Sequence, residues 1–236
     1  MAKLLKELSV FLPCYNEAEN LSKTVKNVTE NAPRVAGNWE LLLVNDGSKD
    51  NTLEVAEKLA AKDKHIRIIN HPVNRGYGAA LKSGLYGAKY SWIAFIDADG
   101  QFDFSEIDTF IDTQEKTGAD LVIGYYRKRQ VTRLRKLNSF AWQVVVYFLF
   151  GLRIKDIDCG FKLISKNVID KLEKLESERG AFISSEFLIK AKKHNFKIVE
   201  IPVHHYPRKA GEATGAKLNV IIKSFVDLFK LWKKLS

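Results

Sequence analysis

Short, strongly apolar runs recur through the first half of the chain, and each stops at a polar, turn-forming segment before a helix-like stretch begins. Leu8–Leu12, Glu40–Val44, Ile66–Ile69, Trp92–Ile96 and Ala119–Ile123 read as strands. Helices are expected from about Glu17 to Glu30, from Asn51/Thr52 to about Lys62, and from Gly76 to near Gly87. Strands apolar on both faces belong inside a layered structure, where helices cover both sides of the sheet. Their alternation with helices predicts an α/β fold with a mostly parallel central sheet.

The second half differs. Arg127 to Lys136 is densely basic, and an apolar helix-like run continues to Phe150. Residues 160–164 and Phe196–Val203 read as strands, Ser184–His194 as a helix, and Leu218–Leu235 as an amphipathic tail helix. At 236 residues, with 46% hydrophobic and 28% charged, the chain can bury a full core, and disorder is excluded. One domain over 1–236 is expected, divided at about 124 and 215 with the tail at about 216–235. The two cysteines lack CxxC spacing, which argues against zinc or a disulfide framework and points to a reducing, cytoplasmic compartment. No signal peptide is visible, and the longest apolar stretch, Phe140–Leu152, is short of the roughly 20 residues that span a bilayer. The net charge of +10 attracts anions: nucleic acid, phosphorylated small molecules or anionic lipid.

In open α/β sheets, ligands bind beyond the carboxyl ends of the strands. Four such ends carry unusual polar residues: Pro13-Cys-Tyr15-Asn16-Glu17, Asn45-Asp46-Gly-Ser-Lys-Asp50, Asn74-Arg75-Gly76-Tyr-Gly78 and Asp97-Ala98-Asp99-Gly-Gln101. Each alone is ordinary turn chemistry. Four on one sheet edge predict a site. Asp97 and Asp99 leave the strand on the same side, suited to a hard cation such as Mg²⁺ or Mn²⁺ shared with a substrate phosphate. Asp99 with Gln101 is the expected metal pair, and Asp97 faces the nucleotide.

The order PxYNE, NDGSKD, NRGYGAA, DADGQ resembles the inverting GT-A glycosyltransferases of family 2, and within it the dolichyl-phosphate mannose synthases and other polyprenyl-phosphate glycosyltransferases. The resemblance runs from about Leu8 to about Gly215. It implies a nucleotide-sugar donor, GDP-mannose first and UDP-glucose second. It also implies that Pro13, Tyr15, Glu17, Asp46, Asn74, Arg75, Gly76, Ala98 and Arg208 surround that donor. Where the family often reads DDGS, this chain has Asn45, a neutral hydrogen-bonding group. Arg208 belongs to an Arg-x-x-Gly-Glu segment whose family lysine slot is Thr214 here, with Lys217 a turn further on.

On the acceptor side the resemblance implies that Arg127, Arg135 and Ser139 hold a lipid phosphate. Arg135 and Ser139 are four apart and share a helix face. The cations beside the apolar run to Phe150, and the lysines interleaved with the tail's apolar residues, suit a peripheral position at the cytoplasmic membrane face. A separate membrane protein is a further possible partner. Glu186 corresponds to the acid that in many family members acts as catalytic base; a lipid phosphate needs no strong base, which leaves orientation of the sugar as its other role. Two alternatives stay open. One is a soluble family 2 enzyme acting on a polysaccharide or protein, with Glu186 as base. The other is a non-catalytic nucleic-acid binder, against which no helix-turn-helix, RNA-binding or zinc-finger signature appears.

Overall fold

The computed structural model describes residues 5–127, 133–178, 180, 182–208 and 218–235, with backbone only for 133–140 and 218–223. Its elements are β1 (Leu5–Cys14), α1 (Ala18–Val35), β2 (Ala36–Asp46), α2 (Thr52–Ala60), β3 (Ile66–His71), α3 (Tyr77–Gly87), β4 (Trp92–Ile96), α4 (Ile107–Thr117), β5 (Leu121–Tyr126), α5 (Arg133–Phe150), β6 (Phe161–Ser165), α6 (Lys166–Lys171), α7 (Phe182–Lys193), β7 (Ile198–Val203) and α8 (Leu218–Leu235). The expected α/β architecture is present. Helix α4 was not read from the sequence, although Ile107, Phe110 and Ile111 mark its buried stripe, Asp103 accepts from the Ser105 amide just before it, and Gly118 ends it at φ 65°.

The strands form a seven-stranded sheet in the order β3-β2-β1-β4-β6-β5-β7. Every strand but β6 runs the same way; β6 is antiparallel to both β4 and β5. Alternate side chains enter two cores. Val10, Leu12, Leu41 and Leu43 pack with Leu21, Val25 and Phe110 on one face. Phe11, Leu42 and Phe95 pack with Leu81, Leu85, Phe187 and Leu228 on the other. Each fully buried Leu or Phe contributes about 1.5–3 kcal/mol, against about 1 kcal/mol or less for an exposed ion pair. The three layers therefore hold the frame, and surface charges such as Lys26–Glu30 add little.

Chain order reverses around β1: β2 and β3 lie on one side of it and β4 on the other. A crevice at the carboxyl ends of β1 and β4 is the expected ligand position in such a sheet.

Candidate active site

The loop after β2 caps the helix after β1. Glu17 N donates to Thr52 Oγ1 at 2.8 Å and Ala18 N to Asp50 Oδ2 at 3.2 Å, so two of the orphan amides opening α1 find acceptors across the crevice. Asn16 takes φ 55°, its amide donates to Ser48 Oγ and its side chain accepts from Lys49 N at 2.8 Å. Together these contacts lock the 13–17 and 45–52 loops into one wall.

Asp46 ends β2 with its carboxylate buried. Oδ1 accepts from His71 Nδ1 at 2.7 Å and Arg75 N at 3.0 Å; Oδ2 accepts from Asn74 Nδ2 at 3.0 Å and Gly76 N at 2.8 Å. Gly76, at φ 102°, is the residue from which α3 starts, a conformation that favours glycine. Asn45 makes neutral bonds only, donating to Asn70 Oδ1 at 2.7 Å and accepting from Ser48 N at 3.3 Å.

Glu17, Asp97 and Asp99 face the crevice. Burial raises the pKa of all three above the usual carboxylate value, Asp97 to about 7, with the neighbouring Asp99 adding to Asp97's shift. Asp97 Oδ1 accepts from Tyr77 OH at 3.0 Å, and Asp97 N donates to Gly160 O at 3.1 Å. Asp99 Oδ1 accepts from Gln101 N at 3.1 Å. Arg208 reaches across: Nη2 donates to Glu17 Oε1, and Nη1 lies 3.8 Å from Asp99 Oδ2. That segment is held by Tyr206 N donating to Gln101 O and Gln101 Nε2 donating to Tyr206 O, both at 2.8 Å.

This much partly buried negative charge suits a divalent cation, which a pair of carboxylates plus substrate phosphate can hold. Among the described residues no group of three or more Asp, Glu, His or Cys forms a metal cluster. The residues therefore fit a metal shared with a ligand. His205 packs on Tyr126 and Phe102 with ring centroids at 4.4 and 5.3 Å and helps keep Asp99 ionised; its neighbour His204 turns to Glu106. Both thiols are buried, Cys159 pushed up to about 12 by desolvation, so neither is a ready nucleophile.

Pro13 is buried beneath the crevice wall, Tyr15 is half-buried, and Asn74 and Arg75 are exposed on its rim. Ala98 is buried, its carbonyl accepting from Thr24 Oγ1 at 3.1 Å. Arg127 is exposed where β5 ends, its amide donating to Val203 O at 3.2 Å. Arg135 and Ser139 fall in the first turns of α5, and their side chains lie outside the described residues, as do Thr214 and Lys217 altogether.

Glu186 lies in the second turn of α7. Its carboxylate accepts from Glu176 N at 2.8 Å, Ser177 N at 2.9 Å, Ser177 Oγ at 2.6 Å and Lys190 Nζ at 2.7 Å. Burial would raise its pKa, but these donors prevail and hold it below the ordinary glutamate value. Four donors occupy the lone pairs of both oxygens.

Two residues with clear parts in the crevice escaped sequence reasoning. Tyr77 lay inside the NRGYGAA segment, and only its bond to Asp97 reveals it. Gly160 lay inside a predicted strand, and an isolated glycine there was the available signal for a close approach.

Residues 9–173 match the profile of the family described as glycosyl transferase family 2. A dolichyl-phosphate beta-glucosyltransferase of Trichomonas vaginalis is 30% identical over 238 residues, covering 95% of this chain and 72% of its own. The chain belongs to glycosyltransferase family 2. A second family relative, the undecaprenyl-phosphate 4-deoxy-4-formamido-L-arabinose transferase of Salmonella choleraesuis, is 30% identical over 219 residues, covering 92% of this chain and 65% of its own. The GT-A fold of this glycosyltransferase is shared with glucosyl-3-phosphoglycerate synthase from Mycobacterium tuberculosis, solved with Mn²⁺, uridine diphosphate and phosphoglyceric acid. That match has TM-score 0.73 and 18% identity, and covers 96% of this chain and 78% of that one.

Proposed function

We propose that this family 2 glycosyltransferase moves a sugar from a nucleoside diphosphate sugar to a polyprenyl phosphate, at a membrane surface and with inversion at the anomeric carbon. The observation that carries the reading is the carboxylate group Glu17, Asp97 and Asp99, gathered with Arg208 at the switch point of the sheet. Pro13, Tyr15, Asn74, Arg75 and Gly76 surround the nucleoside, with Asp46 behind them. Asp99 and Gln101, with Asp97 beside them, would hold Mg²⁺ or Mn²⁺; the Gln101 amide group bonds Tyr206, which leaves its side-chain oxygen for that role. A cation bound there would supply positive charge to a departing diphosphate. Arg208 can turn from its carboxylates to that same diphosphate.

A phosphate monoester has a second pKa of about 6 and attacks already ionised. Arg127, Arg135 and Ser139 orient it, so catalysis comes from positioning and charge neutralisation, without a base. The saturated carboxylate of Glu186 favours this over the hydroxyl acceptor that would require Glu186 as base.

The lipid end is supported by two helices. Trp142 of α5 packs on Phe225 of α8 at 5.0 Å. Near this contact α5 exposes Tyr147 and Phe148, and α8 exposes Val226, Phe229 and Trp232 among Lys230, Lys233 and Lys234. No helix among the described residues is long and apolar enough to cross a membrane. Exposed aromatics interleaved with lysines suit a bilayer interface.

The dolichyl-phosphate beta-glucosyltransferase relatives favour glucose over mannose as the sugar, with UDP-glucose as the donor to offer first. A transfer assay with Mn²⁺ or Mg²⁺ and short-chain polyprenyl phosphate, offering labelled UDP-glucose, GDP-mannose and UDP-GlcNAc, tests both. Label extracted into the organic phase with UDP-glucose alone is the expected result. Label with GDP-mannose alone would return the sugar to mannose, and no lipid product with any donor would overturn the acceptor.

A further inference from the structure

His71 ends β3 directly opposite Asp46 in the parallel register of β2 and β3. Its ring is buried, and both nitrogens are used: Nδ1 lies 2.7 Å from Asp46 Oδ1 and Nε2 2.8 Å from Ser83 Oγ on α3. Asp46 receives only donors, so it acts as a carboxylate acceptor, which assigns a proton to Nδ1 and leaves Nε2 to share a hydrogen bond with the Ser83 hydroxyl. The same carboxylate takes the amides of Arg75 and Gly76 and the side chain of Asn74. Helix α3 is thereby tied twice, at its entry to Asp46 and, further along, through Ser83 to His71.

We infer that Asp46, His71 and Ser83 form a buried clamp in which His71 is a positioning residue for donor binding, acting through the Asn74–Gly76 loop rather than by touching the donor. The inference rests on the nucleotide-sugar reading above. Both oxygens of Asp46 accept hydrogen bonds within the fold. The carboxylate can thereby hold Asn74, Arg75 and Gly76 in one conformation, against the left-handed φ of 102° at Gly76. The clamp also reaches the opposite end of the crevice. The first residue of α3 is Tyr77, whose hydroxyl donates to Asp97 Oδ1 at 3.0 Å. Hydrogen bonds therefore run from the nucleoside rim to the Asp97 carboxylate through the first turn of α3. Hydrogen bonds behind a binding group set its orientation; behind metal ligands their loss costs about 10- to 100-fold in affinity or activity, and the lower end of that scale is expected for this loop.

The test measures Kd for UDP and for GDP with Mn²⁺ by titration calorimetry on the full chain, alongside thermal melting. Variants are His71→Leu, which breaks both bonds, His71→Asn, which keeps a donor for Asp46, and Ser83→Ala, which removes the outer link. Folded His71→Leu is expected to bind the nucleotide about 10-fold more weakly. His71→Asn should recover to within about threefold of wild type, and Ser83→Ala should fall between. In transfer assays the loss should appear in kcat/KM for the donor, with donor KM raised about 10-fold. A merely structural clamp would lower the melting temperature and leave Kd untouched, which overturns the inference. Should His71→Leu fail to fold, Ser83→Ala decides, and a wild-type Kd there overturns it. If the wild type binds neither nucleotide, the donor reading itself fails and takes this inference with it; wild-type binding with unaffected variants removes only the clamp.

Discussion

The carboxylate of Asp97 rests directly on the backbone of Gly160: a methyl group built at Gly160 would stand 2.0 Å from Asp97 Oδ2. Antiparallel pairing of β4 with β6 creates this contact, since Ile96 lies opposite Phe161 and Asp97 N continues the ladder to Gly160 O. Gly160→Ala should displace Asp97 and lower kcat about 100-fold, a cost typical of small misplacements at reacting groups. The accompanying stability loss should be only about 1–3 kcal/mol. Kinetics and urea unfolding on the same preparation check both, and unchanged kcat would show that Asp97 is not needed in this position.

Tyr77→Phe removes a hydrogen bond to a buried carboxylate while keeping the ring. Such bonds contribute about 1.5–3 kcal/mol, so kcat/KM should fall by about 10- to 100-fold. Steady-state kinetics at saturating metal measure it, with circular dichroism to confirm that α3 is intact.

Arg208 lies against two carboxylates that a cation would also seek, at 3.8 Å from Asp99 and hydrogen-bonded to Glu17. Arg208→Gln should therefore have opposite effects on metal and donor. Mn²⁺ should bind the donor-free protein several-fold more tightly, because a competing positive charge is gone, while the donor KM should rise about 10-fold as the diphosphate loses a charged partner. Manganese titration followed by electron paramagnetic resonance, beside donor kinetics, separates the two; weaker metal binding in the variant would contradict the arrangement.

Glu186 has a pKa held below its unfolded value, so its contribution to stability is present above the ordinary glutamate pKa of about 4.3 and is lost as pH falls through and below it. Glu186→Gln should thus cost about 2–4 kcal/mol at pH 7 and progressively less toward pH 3. Denaturant unfolding across that range gives the curve. At a temperature where the variant is folded, transfer should persist at a tenth of wild type or better. A far deeper loss, about 1000-fold, would restore Glu186 as a base and point to a hydroxyl acceptor.

Phe229 and Trp232 stand 49% and 38% exposed on α8 beside Lys230, Lys233 and Lys234. Replacing both aromatics by serine should abolish sedimentation with anionic vesicles while leaving the nucleotide Kd unchanged. Raising salt should weaken the wild-type interaction through its lysines. Equal sedimentation of variant and wild type would remove α8 from the membrane contact.

The sequence by itself determined the layered α/β frame and the edge at which the site forms. Apolar runs such as Leu41–Val44 and Ile93–Ile96 are local patterns, and turn chemistry at Asn16, Gly76 and Asp97–Gln101 is local too, so both are legible without neighbours. What only the tertiary structure decided is which groups meet. The insertion of antiparallel β6 beside β4, which sets Gly160 beneath Asp97, depends on a partner more than 60 positions away in the chain. Arg208 finds Glu17 across almost the whole sequence, His71 finds both Asp46 and Ser83, and Glu186 is filled by the 176–177 loop. A residue's type shows what it can donate or accept; whether its lone pairs are spent inside the fold or left for a substrate is set by through-space packing, which short-range pattern does not contain.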